Sequence, residues 1–209
     1  MSLWEFMKLN PVTFIAAGFL FTLAIAGVVV GVLLRGRWRD KGFMETPKGR
    51  LIRWSSDIDL IIWYREDLSP VYVAALMNVC GYLNKVIGRP LFMDVAMGPT
   101  KYNFEGPPPS DSGIIAVVDD NGMDPDHGET TIGADKDGWL LRAQIKLPEV
   151  HEAKAYAIVL HEMCHALGLD HDEGKDSIMH PQLQSRPQEL SKADQTRLRR
   201  TYGAEKHAK

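Results

Sequence analysis

Between residues 11 and 34 the chain is apolar except for Thr13 and Thr22. A run this long suffices for a helix to cross a bilayer core of about 30 Å, which takes about 20 residues. A secretory signal has a shorter apolar region of about 7 to 15 residues and a small-residue cleavage site. Ala24-Ile25-Ala26 offers such small residues, yet the apolar run continues beyond it through residues 28–30 and 32–34. The pattern therefore predicts an uncleaved transmembrane anchor at residues 11–34, with a flank at residues 1–10, a basic linker at residues 35–49, and a folded domain at residues 50–209.

Within the domain the periodicity changes. Ile58, Leu60 and Ile62 alternate with Asp57, Asp59 and Ile61 and lead into Trp63-Tyr64, which reads as a strand. Ser69-Pro70 then opens a helix, with Ser as cap and Pro in the first turn. Val73, Leu76, Met77, Cys80, Leu83 and Ile87 follow at helical spacing until Gly88 stops the run. Residues 91–97 read as a strand, residues 106–113 as a loop rich in Gly, Pro and Ser, and residues 114–118 as a buried strand. Residues 130–134 and 139–147 read as two strands around an Asp135-Lys136-Asp137-Gly138 turn. Residues 153–167 form a further helical pattern. Strands that precede the later helices predict an α+β domain with a mixed sheet.

Composition adds limits. The chain has 209 residues, of which 45% are hydrophobic and 24% charged, with a formal net charge of -3. So balanced a charge supplies no phosphate-neutralising surface, and no nucleic-acid partner is expected. The charge is distributed unevenly around the span. Before it stands only Lys8, offset by Glu5; after it come Arg35, Arg37, Arg39 and Lys41. The positive-inside rule thus places the domain in the cytoplasm, with Trp4 and Trp38 as interfacial anchors. Cys80 and Cys164 fall in separate helical patterns with no sign of a bridge. Residues 119–126 hold Asp119, Asp120, Asp124 and Asp126, a set of oxygens that can attract Ca²⁺ but lacks EF-hand spacing and reads as a solvated turn.

The chemistry lies in the helical pattern 153–167. His161 and His165 stand four apart, on one helix face, so both imidazoles reach one metal ion. Glu162, beside the first of them, is a candidate general base for water at that metal. Gly168 can take a positive φ and turn the chain back, which lets His171 supply a third ligand. Three protein ligands with an open position suit a catalytic zinc, whereas a structural site is closed by a fourth.

The pattern His-Glu-x-x-His-x-x-Gly-x-x-His, followed by Ser177-Ile178-Met179-His180-Pro181, resembles the metzincin zinc metallopeptidases. Ala166-Leu167-Gly168-Leu169, Met179-x-Pro181 and the segment from Leu190-Ser191-Lys192-Ala193-Asp194 to Tyr202-Gly203 are most similar to the matrixin catalytic domain. The resemblance implies a twisted mixed sheet with long helices, an active-site helix, and Met179 as the Met-turn residue beneath the metal. It also implies a peptide or protein substrate added as an antiparallel strand to an upstream edge strand, within residues 130–134 or 139–147. Asp172 departs from the Ser or Thr usual after the third histidine of matrixins. Pro181 stands where astacins and serralysins carry a tyrosine that assists the transition state. His127 and His151 alone do not make the second zinc site of vertebrate matrixins, so one Zn²⁺ is expected.

These features predict a membrane-anchored zinc endopeptidase that contacts the lipid bilayer through residues 11–34. The flanking charges favour a cytoplasmic domain, and the resemblance favours an extracytoplasmic one. An inactive peptidase-like binding module and a zinc hydrolase of a non-peptide amide are the alternatives; the intact Glu162 argues against the first.

Overall fold

Ile114-Ile115-Ala116-Val117-Val118 offers no polar face, and the strand it forms, β3 (Ile114–Asp119), lies at the centre of a five-stranded sheet with those five residues buried. The computed structural model describes residues 42–55, 57–99, 104, 113–149, 152–174, 177–182 and 189–203. The predicted transmembrane anchor at residues 11–34, the flank before it, residues 35–41, most of the 106–113 loop and His151 lie outside these residues. Among the described residues, no helix is long and apolar enough to cross a membrane.

The strand order is β2 (Phe92–Met97), β1 (Leu60–Tyr64), β3, β5 (Leu140–Leu147), β4 (Glu129–Ala134). The first four run parallel and β4 pairs antiparallel with β5. Parallel strands need cover on both faces. On one face α1 (Pro70–Ile87) and α2 (Glu152–Ala166) pack over Leu60, Ile62, Ile115 and Ile145; on the other, Phe104 closes over Ala116 and Val118 beside Trp63. β4 alternates between exposed and half-buried positions, which suits the edge it occupies.

α1 begins and ends close to the residues its sequence marks. Pro70 occupies its first turn and Gly88 ends it in the left-handed conformation, φ 83°. Ser69 makes no side-chain cap; its carbonyl instead accepts from the Tyr72 and Val73 amides at 2.9 and 3.1 Å. The last helix, α3 (Lys192–Tyr202), is capped by Ser191, whose hydroxyl accepts from the Asp194 amide at 3.1 Å.

Residues 43–53 form a hairpin that docks on the domain. Glu45 pairs with Leu51, Phe43 bridges Leu169 and Arg53 bridges Trp139. Residues 42–49, the glycine-containing end of the predicted basic linker 35–49, are thus hydrogen-bonded into the folded unit. Trp54, fully buried, donates from its indole Nε1 to the Ala166 carbonyl at 2.8 Å and from its main-chain amide to the Tyr202 hydroxyl at 3.2 Å. That hydroxyl donates in turn to Leu167 O at 2.7 Å. The carbonyls left over at the end of α2, which every helix must satisfy, are met by residues from both ends of the domain.

Candidate metal centre

α2 presents His161 and His165 one turn apart, their ring centroids 4.5 Å from each other and nearly perpendicular. The chain then reverses. Gly168 N donates to His165 O at 2.8 Å and Leu169 N to Cys164 O at 3.0 Å, the paired bonds of a Schellman turn. Gly168 has φ +90°, and a Cβ placed there would stand 2.1 Å from the Ile52 carbonyl oxygen. Conformation and space both require glycine. The reversal brings His171 to the other two rings, and His165 Nε2 lies 3.0 Å from His161 Nε2 and 3.2 Å from His171 Nε2.

The other ring nitrogens settle what these atoms can do. His161 Nδ1 lies 2.7 Å from the Ile178 carbonyl oxygen, and His165 Nδ1 2.8 Å from that of Leu169. A carbonyl only accepts, so each Nδ1 carries the proton and each Nε2 directs a lone pair towards its neighbours. Lone pairs gathered in this way fit a cation. Zinc bound tetrahedrally at about 2.0–2.1 Å sets ligand nitrogens about 3.3 Å apart, close to the observed spacing. Among the described residues, these histidines are the one group of three or more side chains able to hold a metal ion. Leu169 serves twice, ending the helix with its amide and orienting His165 with its carbonyl.

The turn that carries Met179 is tied down from α3. Ser177 Oγ accepts from the Met179 amide at 3.1 Å and donates to Asp194 Oδ2 at 3.0 Å. Fully buried, Asp194 also accepts from Ser191 Oγ at 2.7 Å and from Arg197 at 2.8 Å. Arg197 reaches Asp172 Oδ2 with its other nitrogen at 2.9 Å, and the Asp172 amide donates to Met179 O at 3.0 Å. Asp172, the departure from matrixin usage, thus joins the loop after the third histidine to the last helix. Met179 is fully buried in the core.

Glu162 is buried, with Oε1 4.0 Å from His161 Nε2. Its Oε2 accepts from the Thr130 hydroxyl at 2.7 Å, and the same hydroxyl lies 3.1 Å from the Glu162 main-chain oxygen. Thr130 belongs to the edge strand β4. Just before that strand, Gly128 approaches so closely that a Cβ there would stand 2.6 Å from Glu162 Cγ. The histidines, Glu162, Thr130, Met44 and Pro181 line an open cleft of about 520 Å³.

The remaining candidates fall outside the metal group. His127 is exposed at the cleft margin, 3.5 Å from Asp124. His180 accepts from the Gln182 amide. Cys164 is fully buried, and burial pushes its thiol well up. The carboxylates of residues 119–126 serve turns and ion pairs: Asp120 accepts from Gly122 N, Asp124 from Asp126 N, Asp119 pairs with Arg65 and Asp126 with Lys154. From the sequence alone, Thr130 and Gly128 carry no site role and Asp172 is not linked to Arg197 and Asp194, although the unusual Asp172 marks one end of that chain.

A helix with convergent imidazoles and an adjacent glutamate, set beside a mixed sheet whose edge strand β4 pairs only with β5 among the described residues, is the arrangement of a metzincin-like zinc metallopeptidase domain. Residues 101–203, which contain the histidines, Glu162, Thr130 and Met179, match the family model of the matrixins, peptidase family M10. No curated protein matches this sequence. Among solved structures, the chain is similar to archaemetzincin from Methanopyrus kandleri, at 13% identity and a TM-score of 0.46 over 72% of this chain and 98% of that one. It is also similar to high choriolytic enzyme 1, a hatching enzyme zinc-protease from the medaka fish Oryzias latipes, at 15% identity and a TM-score of 0.43 over 76% of this chain and 96% of that one.

Proposed function

We propose that the protein is a membrane-anchored zinc endopeptidase that cleaves protein or peptide chains within an extended segment. The observation that carries this reading is the convergence of His161, His165 and His171 Nε2 atoms beside Glu162 in a cleft bordered by an edge strand. Zinc held by those nitrogens supplies Lewis acidity that polarises the scissile carbonyl and lowers the pKa of water to about 7.

The protein groups do the rest. Glu162 accepts a proton as the water oxygen bonds to the carbonyl carbon, and returns it to the amine as the C–N bond breaks. Thr130 fixes one carboxylate oxygen, leaving Oε1 on the side of the His161 Nε2 atom. β4, paired only with β5 among the described residues, has a free edge that can pair with an extended peptide. β5, flanked by β3 and β4, has none, which narrows the two candidate strands to residues 129–134.

The anchor rests on the apolar run 11–34, and the basic residues after it favour a cytoplasmic domain. Two measurements test these readings. Incubation with a denatured protein should yield internal fragments, abolished by a zinc chelator; release of single terminal residues alone would contradict an endopeptidase. In sealed vesicles of known orientation, an added protease should reach the domain only from the cytoplasmic face. Digestion from the opposite face would reverse the orientation.

A further inference from the structure

The outer part of the hairpin, residues 45–53, and the turn 135–139 form one platform. The Arg53 amide donates to Gly138 O at 2.9 Å and the Leu140 amide to Arg53 O at 2.8 Å, while a Cβ at Gly138 would stand 2.3 Å from the Leu51 carbonyl oxygen. The Asp135 carboxylate holds the turn by accepting the Asp137 and Trp139 amides at 2.8 and 3.0 Å. Between hairpin and turn lies an open recess of about 290 Å³, lined by Arg50, Leu51, Arg53, Asp137 and Trp139, none of which lines the cleft. Trp139 is 39% exposed, and the Arg53 guanidinium stands over its ring, 5.1 Å from the centroid. Lys48, Arg50 and Lys136 are exposed beside it, and Arg50 pairs with Asp137.

We infer that this platform docks on an anionic bilayer surface, with Trp139 at the level of the headgroups and Lys48, Arg50, Arg53 and Lys136 against lipid phosphates. The inference rests on the membrane-anchor reading above and deepens it. Chain length identifies the occupant. Only residues 35–41 separate the predicted anchor from Gly42, where the described residues begin, and a fully extended chain of that length reaches at most about 30 Å. Along the chain the hairpin is the first described element after the anchor, so the tether keeps it within reach of the bilayer. Its chemistry suits that place. Anionic headgroups attract Lys and Arg close to the surface, and indole rings settle at the interface with the N–H towards water. Arg53, stacked on Trp139, brings a cation to the ring itself. Of the nearby carboxylates, Asp135 is engaged by the turn amides and Asp137 by Arg50; Glu45 remains, against Lys48, Arg53 and Lys136. Docking through this face leaves the cleft uncovered, because other residues line it.

The test uses the full chain loaded with zinc and reconstituted in vesicles of phosphatidylcholine, alone or mixed with phosphatidylserine, that carry headgroup-spin-labelled lipid. Because Cys80 and Cys164 are buried, a fluorophore attaches only to an introduced cysteine: Pro47→Cys on the hairpin, or Met77→Cys as an exposed control on α1. We expect the lipid spin labels to quench the fluorophore at position 47 more than that at 77, and only when phosphatidylserine is present. Lys48→Gln combined with Arg50→Gln, both at exposed positions, should lower the docked-to-undocked ratio read from that quenching by at least about fivefold. High salt should do the same to the unsubstituted platform. Equal quenching at 47 and 77, quenching indifferent to phosphatidylserine, or quenching that survives the double variant overturns the docking face and leaves the anchor intact. Extraction of the chain from the vesicles by alkaline carbonate contradicts the anchor itself, and the docking face with it.

Discussion

Thr130 and Glu162 are 32 positions apart in sequence, yet one hydroxyl serves both the carboxylate and the main-chain oxygen of the glutamate. A hydroxyl carries a single proton, and a charged acceptor binds it more strongly than a neutral one. While Glu162 is ionised, the hydroxyl therefore donates to the carboxylate, which under the proposed mechanism is held in place to receive a proton from water. Thr130→Val keeps the shape and removes the bond. It should lower kcat about tenfold with little change in KM or zinc content, while Thr130→Ser retains most of the rate. Equal rates for Val and Ser would remove Thr130 from this role. The cysteines are the opposite case, since burial alone explains them and pushes the Cys80 thiol up to about 12. At pH 8 a thiol-specific reagent should find neither until denaturant is added; rapid reaction of the native protein would contradict their burial. The convergence of the three histidines was legible because helical spacing and one glycine set it locally. Thr130 and the Arg197 bond to Asp172 were not, because they join segments that only the fold brings together.

At the level of elements, the turn after α2 has the most dependents. Gly168 reverses the chain, Leu169 orients His165, and the Gly168 carbonyl accepts the Met44 amide of the hairpin at 2.8 Å. Gly168→Ala meets both a left-handed backbone and the Ile52 carbonyl. We expect a loss of at least about 2 kcal/mol in chemical denaturation, together with weaker zinc binding. A variant within about 0.5 kcal/mol of wild type would show that the turn relaxes freely. Helix limits were readable from Pro70, Gly88 and Gly168, residues whose backbone preferences act alone. The hairpin was not: residues 42–49 look like a linker because glycine, proline and charge interrupt any apolar pattern, and the segment is secured by buried Phe43 and Trp54 and by main-chain bonds to distant residues such as Gly168.

Across the whole molecule, the apolar run of β3 announced a strand covered on both faces, and the mixed sheet followed from strands preceding helices. Strand order was not legible, because β4 and β5 both mix polar and apolar positions. Their roles differ through neighbours: Ala143, Gln144 and Ile145 are buried between two strands, while β4 is left with a free edge. That edge carries Thr130 to Glu162 at the cleft. On the proposed mechanism, Glu162 activates water at a zinc held by His161, His165 and His171. The most direct measurement compares zinc content and cleavage of a denatured protein for wild type and Glu162→Ala. The variant should keep one zinc per chain and lose turnover by about 10²–10⁴-fold, the usual contribution of such a base. Cleavage at the wild-type rate in the variant would contradict the account.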